Sequence, residues 1–172
     1  MSSLESLRAG IPEAAKDLKL NLGAVLTPGH LSEAQVWGVA VACAIAARNP
    51  QLRSAIIEDA LTKVGEPVVE DAKAAAALMG MNNIYYRFRH IIGKPEYAEK
   101  PAKLRMLRLA NVLTNKTDFE LMCLAVSAIN GCEACVRSHE KVVIEGGMTE
   151  DHVNDAVRIA SVIHGTAVAL EM

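Results

Sequence analysis

In the run Thr117-Asp118-Phe119-Glu120-Leu121-Met122-Cys123-Leu124-Ala125-Val126-Ser127-Ala128-Ile129-Asn130-Gly131-Cys132-Glu133-Ala134-Cys135-Val136-Arg137-Ser138-His139, an apolar segment gives way to a cluster of reactive side chains. Leu121 to Ile129 carries no charge and is apolar nearly all round, the pattern of a helix buried at the centre of a helical protein. Thr117-Asp118-Phe119-Glu120 has the Thr-x-x-Glu form of a capping box, so the spacing predicts a helix over 117–129. Gly131 then breaks or bends the chain. A further helix is predicted from Cys135 to Glu145, stopped by Gly146-Gly147.

Working outward, Leu31 to Arg48 repeats the pattern. Ser32-Glu33-Ala34-Gln35 is a second capping box, Val36 to Ala47 is again apolar on all sides, and Asn49-Pro50 ends the segment. In this helix Cys43 reads as a small core residue. Leu52, Ile56, Ala60 and Val64 form one stripe of a helix over 51–64, with Gly65 and Pro67 as punctuation. A long helix follows from Val69 to about Arg89. Its end, Asn82-Asn83-Ile84-Tyr85-Tyr86-Arg87-Phe88-Arg89-His90, gathers polar groups and aromatics and reads either as a contact surface or as a cap on the core. Residues 1–28 predict two short helices broken at Gly10. Gly93, Pro95 and Pro101 make 91–116 the least regular stretch, a loop followed by a short helix from Ala102 to Leu109. The last helix starts at Thr149 and buries Val153, Ala156, Val157, Ala160 and Ile163; His164 within it reads as a core histidine.

Composition agrees with an all-α fold. Of the 172 residues, 51% are hydrophobic but only 3% aromatic, an Ala/Val/Leu/Ile mixture suited to close helix packing. The length fits a single domain over 1–172. Two pseudo-repeats, at about 30–90 and 116–172, suggest an internal duplicated helical unit: each offers a cap, a buried helix, a break and an amphipathic helix. Gln35 and Glu120 take equivalent cap positions in that alignment, and Ala47 and Pro50 fall where Cys132 and Cys135 fall in the second copy.

The net charge is −2, from 18 basic and 20 acidic residues, and the basic residues from Arg87 to Arg108 are spread out, which argues against a nucleic-acid partner. They read instead as a solvated or intersubunit surface. The polar start Met1-Ser2-Ser3-Leu4-Glu5 has no apolar core of a secretory signal, and no apolar run reaches the length of a membrane span. A reducing, cytoplasmic location is the expectation. There a Cys-x-x-Cys pair is more often catalytic or metal-binding than structural.

Cys132 and Cys135 have the spacing of a local reversible disulfide. On a continuous helix, steps of about 300° and 400° would bring Cys132, Cys135 and His139 within about 60° of one another. A helix N-terminus near Cys132 would stabilise a thiolate, and His139 could exchange the proton. Half a zinc site and a pair of inert buried thiols are the alternatives; the lack of a second cysteine pair weighs against zinc. A cap explains Glu120 completely; the less favoured alternative is a partner that orients His139 or relays its proton. Along a straight helix it would lie roughly 18 Å from Cys132, so the second role needs the bend at Gly131.

Glu120, Cys132-x-x-Cys135 and His139, together with the Asn82 to Phe88 stretch and Leu31-Ser32, resemble the alkyl hydroperoxidase D family of the carboxymuconolactone decarboxylase-like superfamily. The resemblance covers nearly the whole chain. It implies a thiol-dependent peroxidase of modest strength, usually a homotrimer. Its main role would be as an adaptor that takes electrons from a dihydrolipoyl group on a 2-oxo acid dehydrogenase component and passes them to a peroxiredoxin, the peroxidase component of an alkyl hydroperoxide reductase system. It implies no tightly bound cofactor and no metal. Cys132 and Cys135 would be the redox disulfide, and Glu120 and His139 the proton relay. Some relatives carry His immediately before the second cysteine; Ala134 stands there in this chain, which would slow direct peroxide turnover. The other readings are a non-enzymatic redox sensor or chaperone and a carboxymuconolactone decarboxylase-like enzyme.

Overall fold

The computed structural model describes residues 2–172. Two helices form its centre: α3 (Glu33–Ala47), buried continuously from Val36 to Ala44, and α7 (Lys116–Ile129), buried from Phe119 to Ser127. Only Glu120 in those spans is charged, so neither helix has a wet face there, and the two pack against each other. Gly38 leaves room for the Met122 side chain between them: a Cβ there would fall 2.3 Å from Met122 Cε. Around the pair lie α2 (Lys16–Val25), α4 (Pro50–Val64), the long α5 (Glu66–Ile92), α8 (Glu133–Glu145) and α9 (Glu150–Ala169). The short α1 (Ser3–Ala9) packs on α4, and α6 (Pro95–Ala98) follows α5. No strand occurs among the described residues, so the fold is all-α. No helix among them is long and apolar enough to cross a membrane.

The helix ends follow from side-chain chemistry. Ser32 and Gln35 make the expected capping box on α3, and Gln35 Nε2 also donates to Asp118 Oδ1 (2.7 Å), tying the starts of α3 and α7 together. Asn49 caps α4 by accepting from Leu52 N (2.9 Å). Asp59, from the middle of α4, accepts from Ser3 N and Leu4 N and so satisfies the open end of α1.

Four expectations are corrected. The cap of α7 is Asn115, whose side chain accepts from Thr117 N and Asp118 N, so Thr117 and Glu120 form no capping box and the proposed equivalence of Glu120 with Gln35 fails. Asn115 wins because it is a strong N-cap residue two positions earlier, letting the helix start sooner. Pro67 lies in the first turn of α5, where its missing N–H costs nothing, so that helix is longer at its start than expected. The helix predicted over 102–109 is absent: Lys103 takes a left-handed φ of 53° and only Leu107–Leu109 forms a single 3₁₀ turn. His164 is exposed rather than in the core.

The segment after α6 is held instead by Asp71 on α5. Its fully buried carboxylate accepts from Leu113 N, Thr114 N, Thr114 Oγ1 and Arg108 Nη2 at 2.6–3.1 Å. Burial alone would raise this carboxyl; the hydrogen bonds and the Arg108 charge outweigh it and hold it below the usual aspartate range.

Gly131 reverses the chain between α7 and α8. Its φ is +63°, and nothing lies within 4 Å of where a Cβ would be, so the demand is on the backbone alone. Gly131→Ala is expected to cost about 1 kcal/mol, a fall in Tm of about 2–4 °C by calorimetry. A larger fall would show that the turn is constrained by more than this dihedral.

Candidate active site

Cys132 is the N-cap of α8, with extended backbone angles, and Cys135 lies in the first helical turn. Their Cα atoms are 5.3 Å apart and the two sulfurs are joined as a disulfide. Cys132 is therefore not on the helix face; the same-face geometry holds for Cys135 and His139, which are one turn apart on α8. Cys132 is fully buried, whereas Cys135 lines a cleft of about 260 Å³ together with Ala134, Ser138, His139, Asn82, Tyr86, Met106 and Leu109. A thiolate at Cys135 would sit against the positive end of the α8 dipole.

Several groups fix the turn that presents this pair. Cys132 N donates to Ser127 O (3.1 Å). Asn83 Nδ2 donates to Ser127 Oγ (2.9 Å), and Asn130 Nδ2 donates to Asn83 Oδ1 (2.9 Å). The Arg87 guanidinium donates to the Asn130 carbonyl. Asn82 and Asn83, which read as part of a contact surface, are thus buried structural groups beside the site. The apolar residues of the same stretch, Ile84 and Phe88, do point outward.

Glu120 and His139 are brought together although nineteen residues separate them. His139 Nδ1 lies 2.6 Å from Glu120 Oε2, and because a carboxylate only accepts, Nδ1 carries the hydrogen. Nε2 is then the nitrogen free to gain or lose a proton, and it faces Met79 Sδ at 3.2 Å. The other carboxylate oxygen, Oε1, lies 2.6 Å from Lys116 Nζ. Burial by itself would push Glu120 up; hydrogen bonds from His139 and Lys116, and their charges, hold it below the usual glutamate range. Glu120 is thus an anchored anion that fixes the tautomer and orientation of His139.

The remaining cysteines form no part of the disulfide, although Cys123 lies on α7 near Glu120 and Lys116. Cys43 and Cys123 are buried and reduced, and burial pushes both thiols up, so neither supplies a thiolate near neutral pH. Among the described residues, no group of three or more His, Cys, Asp or Glu side chains is placed to hold a metal ion.

The site also contains residues not singled out in the sequence. Lys116 had a legible signal, a position four residues before Glu120 on one helix. Met79, Met106 and Leu109 had none, since they arrive from α5 and from an irregular segment. Asn82 Nδ2 contacts Met106 Sδ at 3.1 Å and joins those two walls.

This chain has extensive likeness to known sequences. Residues 95–172, which include the disulfide, Glu120 and His139, match the carboxymuconolactone decarboxylase family. The chain is 63% identical over its full length to "Alkyl hydroperoxide reductase AhpD" of Anaeromyxobacter dehalogenans (strain 2CP-C), covering 92% of that protein. It is 55% identical over 98% of its length to the protein of that name from Solibacter usitatus (strain Ellin6076), covering 96% of it, and 46% identical over the same share to that from Brucella anthropi, covering 97%. Identity at this level across whole chains, with the all-α fold, places the chain in the alkyl hydroperoxide reductase AhpD family, within the carboxymuconolactone decarboxylase-like group.

Proposed function

We propose that the protein is a thiol-dependent antioxidant oxidoreductase that reduces alkyl hydroperoxides through a Cys132–Cys135 dithiol/disulfide cycle. The observation that carries this reading is the shared cleft: Cys135 and His139 line it side by side, and His139 is held on the Glu120 carboxylate. The name of its relatives, alkyl hydroperoxide reductase, supports the same chemistry.

In the reduced enzyme the cleft-facing Cys135 is the attacking thiol. Its proton passes to His139 Nε2, and the thiolate attacks the terminal oxygen of the hydroperoxide. The O–O bond breaks, the alcohol leaves with a proton returned from His139, and Cys135 becomes a sulfenic acid. Cys132 then attacks the Cys135 sulfur, forming the disulfide and releasing water. A dihydrolipoyl group reduces this disulfide by thiol exchange and is itself oxidised to the cyclic disulfide. The same dithiol can pass its electrons to the disulfide of a peroxiredoxin, the peroxidase component of the alkyl hydroperoxide reductase system. Ala134 adds an apolar wall and no proton carrier, which favours disulfide exchange over direct peroxide turnover.

The reading includes a cytoplasmic homotrimer that docks on the lipoyl-bearing component of a 2-oxo acid dehydrogenase. Support for assembly comes from the exposed stripe Ile84, Phe88 and Ile91, which share one face of α5.

The test is peroxide-dependent NADH oxidation with lipoamide and its dehydrogenase, run with and without the peroxiredoxin. Turnover that requires lipoamide and rises with the peroxiredoxin is expected. Disulfide formation without turnover would make the protein a redox sensor. Decarboxylation of a ring lactone that survives alkylation of both thiols would make it a carboxymuconolactone decarboxylase-like enzyme.

A further inference from the structure

We propose that Lys116 is a positioning residue of this site: its ammonium clamps the cleft wall at Leu109 to the buried carboxylate that orients His139, so that the position of the wall and the charge felt by His139 are coupled. The proposal rests on the reading of the cleft given above.

Three contacts converge on one side chain. Lys116 Nζ donates to Glu120 Oε1 at 2.6 Å and to the Leu109 carbonyl at 2.5 Å, and it lies 5.9 Å from the centre of the Phe119 ring. Leu109 is itself a wall of the cleft, at the end of the irregular segment. That wall carries few regular backbone bonds of its own, so its position depends on side chains that reach it from helices. Asp71 holds it from α5 at Leu113 and Thr114, and Lys116 holds it from α7 at Leu109. Of these two fasteners, only Lys116 also touches the Glu120–His139 pair.

The electrostatic consequence has a definite sign. Glu120 divides its carboxylate between His139 on Oε2 and Lys116 on Oε1. The Lys116 charge offsets part of the anion that would otherwise favour imidazolium at His139. The other ionisable groups around the pair are few. On α7 there is Cys123, buried and protonated; α8 supplies Cys135, tied in the disulfide; and α5 supplies Tyr86, at the same cleft, with the neutral Met79, Asn82 and Asn83. Removing Lys116 therefore leaves the Glu120 carboxylate beside His139 without its opposing charge, and His139 becomes easier to protonate. If the wall moves away and takes the Leu109 carbonyl with it, the ammonium loses one of its two oxygen partners and is held by Glu120 alone.

The test is an NMR titration of the His139 imidazole in the oxidised protein, where no thiolate titrates nearby, for wild type, Lys116→Met and Lys116→Arg. The Lys116→Met variant is expected to raise the His139 midpoint by about 0.5–1 pH unit, and Lys116→Arg to bring it back toward wild type. Hydrogen exchange of the amides between Lys103 and Leu113 should accelerate about tenfold in Lys116→Met and not in Lys116→Arg. An unmoved midpoint, or a wall whose exchange does not change, overturns the proposal. Lys116 is half exposed, so the fold should tolerate these changes; should Met loosen it, Lys116→Gln serves for the same comparison. Because no substrate is present, the titration is readable whether or not the chain turns over peroxide.

Discussion

Cys135→Ser should lose peroxidase turnover by at least about a thousandfold, because it removes the only thiol of the pair that lines the cleft. Cys132→Ser should also lose steady-state turnover, but for a different reason and with a different trace. In that variant Cys135 still meets peroxide and still forms the sulfenic acid; what is missing is the neighbour that resolves it. One equivalent of peroxide should be consumed per chain, leaving a protein heavier by one oxygen atom and reactive toward a sulfenic-acid trap. Cys135→Ser should show neither mark. The asymmetry follows from burial: Cys132 is the fully covered N-cap of α8, whereas Cys135 is in the first turn facing the cleft. Mass spectrometry after a single addition of peroxide distinguishes the two variants. A trapped oxygen on Cys132 in the Cys135→Ser variant would reverse the assignment. Full lipoamide-linked activity in Cys135→Ser would defeat the mechanism altogether.

The largest expected effect on stability is at Asp71. Asp71→Ala leaves the Arg108 charge, two backbone N–H groups and the Thr114 hydroxyl without their acceptor, all around a fully buried position. Breaking a buried ion pair from one side costs about 3–5 kcal/mol, and the partial exposure of Arg108 puts this one near the lower end, about 3 kcal/mol. That corresponds to a fall in Tm of about 6–12 °C for a chain of this size. The pH dependence has a clear direction. The carboxyl is held below its ordinary value in the folded protein, so on acidification the unfolded chain takes up the proton first. The contribution of Asp71 is fully present above the unfolded value of about 3.9 and is lost as the pH falls through the folded value. Thermal melts from about pH 6 downward should therefore fall less steeply in Asp71→Asn than in the wild type below about pH 4. Parallel curves would mean that Asp71 titrates alike in both states. Because the segment it fastens carries Met106 and Leu109, Asp71→Ala should also weaken peroxide turnover at temperatures where the protein is still folded.

Different parts of the molecule were legible in the sequence to different degrees. The helices of the centre were plain, since caps and apolar periodicity act over a few residues and need no partner elsewhere. Ser32 and Gln35 form the box their spacing promised, and Leu121 to Val126 are as buried as their composition required. The pairing of Cys135 with His139 on one face is likewise a property of a single helix. Even so, a local signal can mislead when a stronger one lies close by. Thr117 and Glu120 have the pattern of a cap, but Asn115 captures the helix end, and that frees the Glu120 side chain for His139. In the same way, residues 102–109 contain good helix formers, yet Asp71 binds the chain just beyond them in a conformation that is not helical.

By itself, then, the amino-acid sequence determined the all-helical class, the two buried central helices, the break at Gly131 and the placing of two cysteines and a histidine around one helix start. Only the tertiary structure decided that Glu120 meets His139, that Lys116 takes the other carboxylate oxygen, and that Met106 and Leu109 close a cleft over Cys135. The physical reason is range. Propensity, capping and helical periodicity are settled within a turn or two of chain. A contact between residues far apart in sequence exists only after the chain has reversed at Gly131 and the apolar faces of α5, α7 and α8 have been driven together, which no single segment encodes.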